Sequence, residues 1–205
     1  EPGLTPAPEH LRDAVGPDHI QDFYHQETAE NYKVGSDFEM KLPFYGFDHV
    51  DLCTGHGDKV GGHYTLWLED RHPGSEKLRG PDNALPHDYT GPQTWRTAIP
   101  EALYPTSYIT ENSLDYLEKY CQGGAGKPFF MMMSYPDPHH PFTPPGKYWD
   151  MYDPDDMPMP ETIGTGDSSM EVFLKDQLEK GEASRDTQMP YAVNAREAQE
   201  AMALT

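Results

Sequence analysis

Residues 127–145 read KPFFMMMSYPDPHHPFTPP. Seven of them, 129–135, form an uninterrupted run of apolar and small residues bounded by proline on both sides. A run of that length lacks the polar alternation of a half-exposed strand, and it fits a strand buried on both faces, as in a parallel sheet. Residues 136–145 then hold five prolines, which predicts a stiffened, extended backbone presenting His139 and His140. The C-terminal end of such a strand is where α/β sheets place their ligands.

The pattern upstream agrees with an α/β reading. Pro105, Thr106 and Ser107 offer a helix start, and Ile109, Leu114, Leu117 and Cys121 fall on one helical face. Gly123 and Gly124 supply a stop. Helix followed by buried strand is half of a βαβ unit. Residues 45–52 read as another strand, 55–64 (GHGDKVGGHY) as a glycine-rich loop, and 64–71 as one or two helical turns. Short helices are expected within 10–15 or 21–32. Residues 73–105 are rich in Pro, Gly, Asn and Asp and predict a long irregular excursion, which in a compact domain is functional or held by neighbours. The polar stretch 162–190 is expected to be a mobile loop. Asn194 with Glu197 predicts a capped helix over the last fifteen residues.

Fifteen basic against 35 acidic residues give a net charge of −20 over 205 residues, which disfavours nucleic acid and anionic membranes as partners. Mean hydropathy is −0.81, thin in core-forming residues for this length. No apolar run reaches the roughly 18 residues of a membrane span. The opening EPGLTPAPEH has neither the basic nor the apolar region of a signal peptide, nor an initiator Met, so the true N-terminus is expected to be missing or processed. Cys53 and Cys121 make neither a disulfide framework nor a zinc pattern; two free thiols favour a reducing compartment, while cytoplasm and periplasm stay open.

An imidazole at a strand end can donate a hydrogen bond to an oxyanion or a proton to a leaving group, so His139 and His140 are candidates for chemistry. The ordinary alternative is a hydrogen-bonded loop. Residues 55–58 with His63 form a second cluster, able to cradle an anion but short of the three or four ligands that zinc needs; a tight solvated turn is the plainer reading. Asp150, Asp153, Asp155 and Asp156 lack an EF-hand frame and read as a surface loop. Met131, Met132 and Met133 read as core packing, and there is no phosphate loop, nucleophile elbow or dinucleotide fingerprint.

Beyond this point the residues speak through resemblance. The block 127–145, with Pro138-His139-His140-Pro141 in its second half, resembles the sulfatase family of the alkaline phosphatase superfamily. Residues 104–120 and 149–161 are similar to the segments that flank it there, and 45–64 to an upstream segment, so the resemblance covers most of 45–161. It implies an α/β fold, a mixed sheet flanked by helices with long irregular loops, and hydrolysis of sulfate esters carried by small molecules or sugars. It implies a formylglycine nucleophile made from Cys or Ser in Cys/Ser-x-Pro-x-Arg, and calcium or another divalent cation holding the sulfate. His139 takes the first position of the Pro-His-x-Pro segment as the implied catalytic residue, and His140 is the second choice, for substrate binding. No metal ligand carries over. Cys53 precedes Thr-Gly-His and Cys121 precedes Gln-Gly-Gly, so neither stands in the nucleophile motif, and residues 55–58 carry the letters of the later metal motif in the wrong order. The expectation is an inner segment of a longer sulfatase, inactive alone and prone to homo-oligomerise through unpaired strand edges. A phosphonate or phosphate ester hydrolase and a non-catalytic binding segment are the alternatives.

Overall fold

The computed structural model describes residues 25–123, 126–161, 169–182 and 193–205. Within them the chain forms two compact units. Of the described residues, the first comprises those of 25–55, Lys59–Glu76 and Pro105–Tyr135; the second comprises His56–Asp58, Lys77–Tyr104 and those from Pro136 onward.

Two helices build the first unit: α1, His63–Arg71, and α2, Pro105–Gln122. Gly62 precedes α1 with φ 74°, and a Cβ there would lie 2.2 Å from the Leu52 carbonyl oxygen, so only glycine fits. The close approach lets Leu52 and His63 pair twice. The His63 amide donates to the Leu52 carbonyl at 2.8 Å, and the Leu52 amide donates to His63 Nδ1 at 2.8 Å. The two helices meet through aromatic rings: Tyr108 lies 5.6 Å from Tyr64 and 5.1 Å from Trp67 in edge-on contacts. Arg71 stands 4.3 Å above the Trp67 ring, and its guanidinium forks onto the Glu111 carboxylate of α2. Leu68, Val60, Tyr32 and Ile109 complete this core.

The face that α2 buries differs in part from the expected one. Pro105, Tyr108, Ile109 and Ser113 are buried, whereas Leu114 is 62% exposed and Cys121 is exposed. Of the expected stripe, Ile109 is buried and Leu117 half-buried, while Leu114 and Cys121 stand outside, and Tyr108 turns the helix toward its aromatic contact with α1. Helix α2 does end at the predicted glycine, whose amide donates to the Lys119 carbonyl at 2.9 Å.

The expected mixed sheet is not seen. Among the described residues β-pairing is confined to isolated bridges, Phe44 with Phe47, Leu85 with Arg96, and Thr94 with Phe142. Residues 126–135 carry no ladder, and their apolar side chains stand in solvent: Phe130 is 78% and Met132 65% exposed. A strand is held by hydrogen bonds to neighbouring strands, and this segment has none beside it among the described residues. Met131–Met133 therefore do not form the predicted core. Residues 45–52 likewise form no strand: Phe44 and Phe47 exchange both backbone hydrogen bonds at 2.9 Å around a tight turn, with Tyr45 and Gly46 at positive φ.

The second unit is held by long irregular segments, as the composition of 73–105 predicted. Short 3₁₀ turns at Ser75–Leu78, Pro81–Asn83 and Glu101–Leu103 punctuate that stretch. Helix α3, Ser169–Glu179, occupies part of the span read as a loop; 162–168 and 183–190 lie outside the described residues, as does 10–15. In the 21–32 span the described part holds one 3₁₀ turn, Ala29–Tyr32. Helix α4, Ala195–Ala203, carries the predicted capping box, Asn194 and Glu197 each bonding the other's backbone. It packs on the turn Pro154–Asp156 through the Arg196–Asp155 ion pair and a 2.9 Å hydrogen bond from Gln199 to the Met157 carbonyl. Its buried Glu200 accepts the amides of Thr90 and Gly91 at 3.0 and 2.9 Å. Trp149, beside His87 and Tyr89, sits in the same core.

Candidate functional site

Within the second unit, residues 56–58 lie against 141–143. A Cβ on Gly57, at φ 56°, would fall 2.7 Å from the Pro141 carbonyl oxygen and 2.8 Å from Thr143 Oγ1. The Asp58 amide donates to Thr143 Oγ1 at 2.9 Å. Thr143 Oγ1 lies 3.0 Å from the Tyr104 hydroxyl, which reaches Asp137 Oδ1 at 3.4 Å. Burial, and next the Asp137 carboxylate, push the Tyr104 phenol up, so it stays protonated.

Asp58 is the pin of this arrangement. It is fully buried, and its Oδ2 accepts from Trp95 Nε1 at 2.8 Å, Thr97 Oγ1 at 2.9 Å and the Gly80 amide at 3.1 Å. Arg79 Nε donates to its carbonyl at 2.8 Å. Oδ1 is buried without a hydrogen-bond partner. A carboxylate surrounded by N–H and O–H donors is built to order a loop.

The histidines follow from that order. The backbone through 136–141 turns instead of running extended as predicted: the His139 amide donates to the Pro136 carbonyl at 3.2 Å, and the Asp137–Pro138 and His140–Pro141 peptides are cis. His139 Nδ1 lies 2.5 Å from the His140 carbonyl oxygen. A carbonyl only accepts, so Nδ1 carries the hydrogen, and Nε2 is the nitrogen left to meet a ligand. His139 is exposed and stacks on His56 with ring centroids 3.7 Å apart and planes 12° from parallel. His140 stands 4.1 Å from His139 on a tilted plane. Lost hydration, then the neighbouring His139 and His56, hold the His140 imidazole below its ordinary value.

The structure thus brings His139 and His140 together with His56, which the sequence reading had set aside with its loop. No local signal links them, since Asp58 and Thr143 are 85 residues apart. His63, grouped with that loop in the sequence, belongs to the first unit, where burial holds its imidazole below the ordinary value. The acidic loop is spoken for: Asp150 pairs with Arg96 at 2.6 Å, Asp155 with Arg196, and Asp153 caps its own turn.

Neither group implied by the resemblance fits the residues at hand. Among the described residues no cluster of three His, Cys, Asp or Glu side chains is arranged to hold a metal ion. Cys53 is half-buried, and burial followed by the Asp51 charge pushes its thiol up to about 12, the opposite of a reactive thiolate. No described helix is long and apolar enough to cross a membrane.

Comparison with known proteins places the chain beside sulfatases. It is 42% identical over 60 residues to an arylsulfatase of Clostridium perfringens, covering 29% of this chain and 12% of that protein. It is 36% identical over 74 residues to the multifunctional alkaline phosphatase superfamily protein PehA of Trinickia caryophylli, covering 36% and 14%. It is 30% identical over 110 residues to human iduronate 2-sulfatase, covering 51% and 19%. The chain spans less than a fifth of the length of these relatives. No protein-family model and no solved structure matches it.

Proposed function

We propose that this sulfatase-related chain is an inner segment of a sulfuric ester hydrolase, contributing the rim of the substrate site with His139 as its acting side chain. The observation that carries the proposal is the tether of His139 Nδ1 to the His140 carbonyl, which leaves Nε2 as the outward nitrogen. With Nδ1–H tied to backbone, the imidazolium form of His139 points its Nε2–H at a sulfate oxygen, or gives that proton to the oxygen that leaves as the ester breaks. His140, held near neutrality of charge, serves as a neutral donor or acceptor to the bound ester. The relatives named as sulfatases support the sulfate ester as substrate class. In this reading the formylglycine nucleophile and the divalent cation come from segments outside this chain, and the sheet that would cover residues 126–135 comes with them.

A second reading, hydrolysis of phosphonate or phosphate esters, is favoured by the similarity to an alkaline phosphatase superfamily protein described as multifunctional. The two separate in one experiment. The longer protein carrying this segment is assayed on an aryl sulfate and on a matched aryl phosphonate ester, with His139→Ala beside it. Faster sulfate turnover, falling about 10²-fold or more in the variant, is the expected result. Preference for the phosphonate transfers the proposal to the second reading, and an unimpaired His139→Ala removes His139 from the chemistry.

A further inference from the structure

His56 takes no part in the reading above, yet it makes the flattest ring contact in the second unit. Its imidazole lies 3.7 Å from that of His139 at an interplanar angle of 12°. We infer that His56 is a positioning residue, a flat wall that sets the plane of the His139 ring and so the direction in which Nε2 meets the ester. The inference rests on the reading of His139 as the acting side chain.

The geometry leaves His139 two tethers. The Nδ1–H bond to the His140 carbonyl fixes one edge of the ring but permits tilt about that bond. Only a face contact removes the tilt. His140 sits 36° from parallel with His139 and cannot supply a flat one. His56 can, because the backbone that carries it is immobilised from below. Gly57 admits no side chain against Pro141, and Asp58 is riveted to Thr143, Trp95, Thr97 and Gly80. The buried carboxylate thus stiffens the wall rather than touching substrate.

Among the described residues, the ionisable groups that these segments bring near include His140, Asp137, Asp58 and Tyr104. Asp58 has its Oδ2 engaged by three donors, and Tyr104 stays a neutral phenol. His56 need supply only a flat aromatic face, so a ring that cannot be protonated should replace it.

The test uses the whole protein with His56→Ala, His56→Phe and His139→Ala, each first checked for a cooperative melt. Imidazole NMR spectra should show the His139 ring protons displaced upfield by the stacked ring, with the displacement lost in His56→Ala and kept in His56→Phe. On an aryl sulfate, His56→Ala should lower kcat about tenfold with KM within about twofold, as expected for a mis-aimed group. His56→Phe should recover most of that loss. Equal impairment in both variants overturns the inference, as does an unchanged ring shift and kcat in His56→Ala. If the unaltered protein hydrolyses no sulfate ester while the ring shifts behave as stated, the hydrolase reading falls and the positioning of His139 by His56 stands.

Discussion

A single carboxylate decides whether the candidate site exists. Asp58 Oδ2 gathers an indole N–H, a hydroxyl and a backbone amide at a buried position, and each would lose its partner at once if the side chain were cut back. Asp58→Ala should therefore destabilise the protein by about 3 kcal/mol or more, since each buried donor left unmade costs roughly 1–3 kcal/mol. Asp58→Asn, which keeps an acceptor but loses the charge, should cost less than half as much. Urea denaturation of the two variants measures both, and equal losses would refute the acceptor argument. At this scale the sequence was only partly legible. Pro138-His139-His140-Pro141 stood out through proline chemistry that is local to it. Asp58 and His56 did not, because their partners lie across a chain separation that no spacing rule spans.

Helices show the same divide between local and tertiary causes. The start of α4 was readable because a capping box is closed within four residues. Asn194→Ala should lower stability by about 1 kcal/mol, and Asn194→Ser by much less. Thermal melts followed by circular dichroism make the comparison. A smaller effect of Ala than of Ser would show that the cap is not what holds the helix. The loss should spread, since α4 carries the Glu200 that holds the amides of Thr90 and Gly91. Helix α2 was predicted from its ends, and its ends are right. Its buried face was legible only in part: Ile109 is buried as expected, while Leu114 and Cys121 are exposed and Tyr108 packs on α1 instead. Residues 126–135 carry the composition of a sheet interior with no sheet beside them among the described residues. Periodicity reveals what a segment is suited to, while a ladder needs neighbours that composition alone cannot supply.

For the whole molecule, the apolar residues left in solvent set the behaviour. Phe129, Phe130, Met132 and Met133 lie side by side along the chain, and exposed apolar patches of this kind drive association. This chain, expressed as it stands, should self-associate with concentration in sedimentation velocity, and Phe130→Lys with Met132→Lys should return it toward monomer. A monomer at all concentrations would show that the run is covered in solution by other residues of the chain. The net charge of −20 works against that association, so it should strengthen with added salt.

The pairing of Asp58 with Thr143 also carries a cost in time. The two residues are 85 positions apart, and drawing such a loop closed takes roughly 4 kcal/mol of chain entropy. On a ribosome adding about 5–20 residues per second, Asp58 emerges roughly 4–17 seconds before the threonine that receives its amide. Helix α1 winds up in microseconds or less. The stack of His56 on His139 thus cannot form until some 85 residues after Asp58 have been made, and an acid destined for the interior must wait in water until its partners exist.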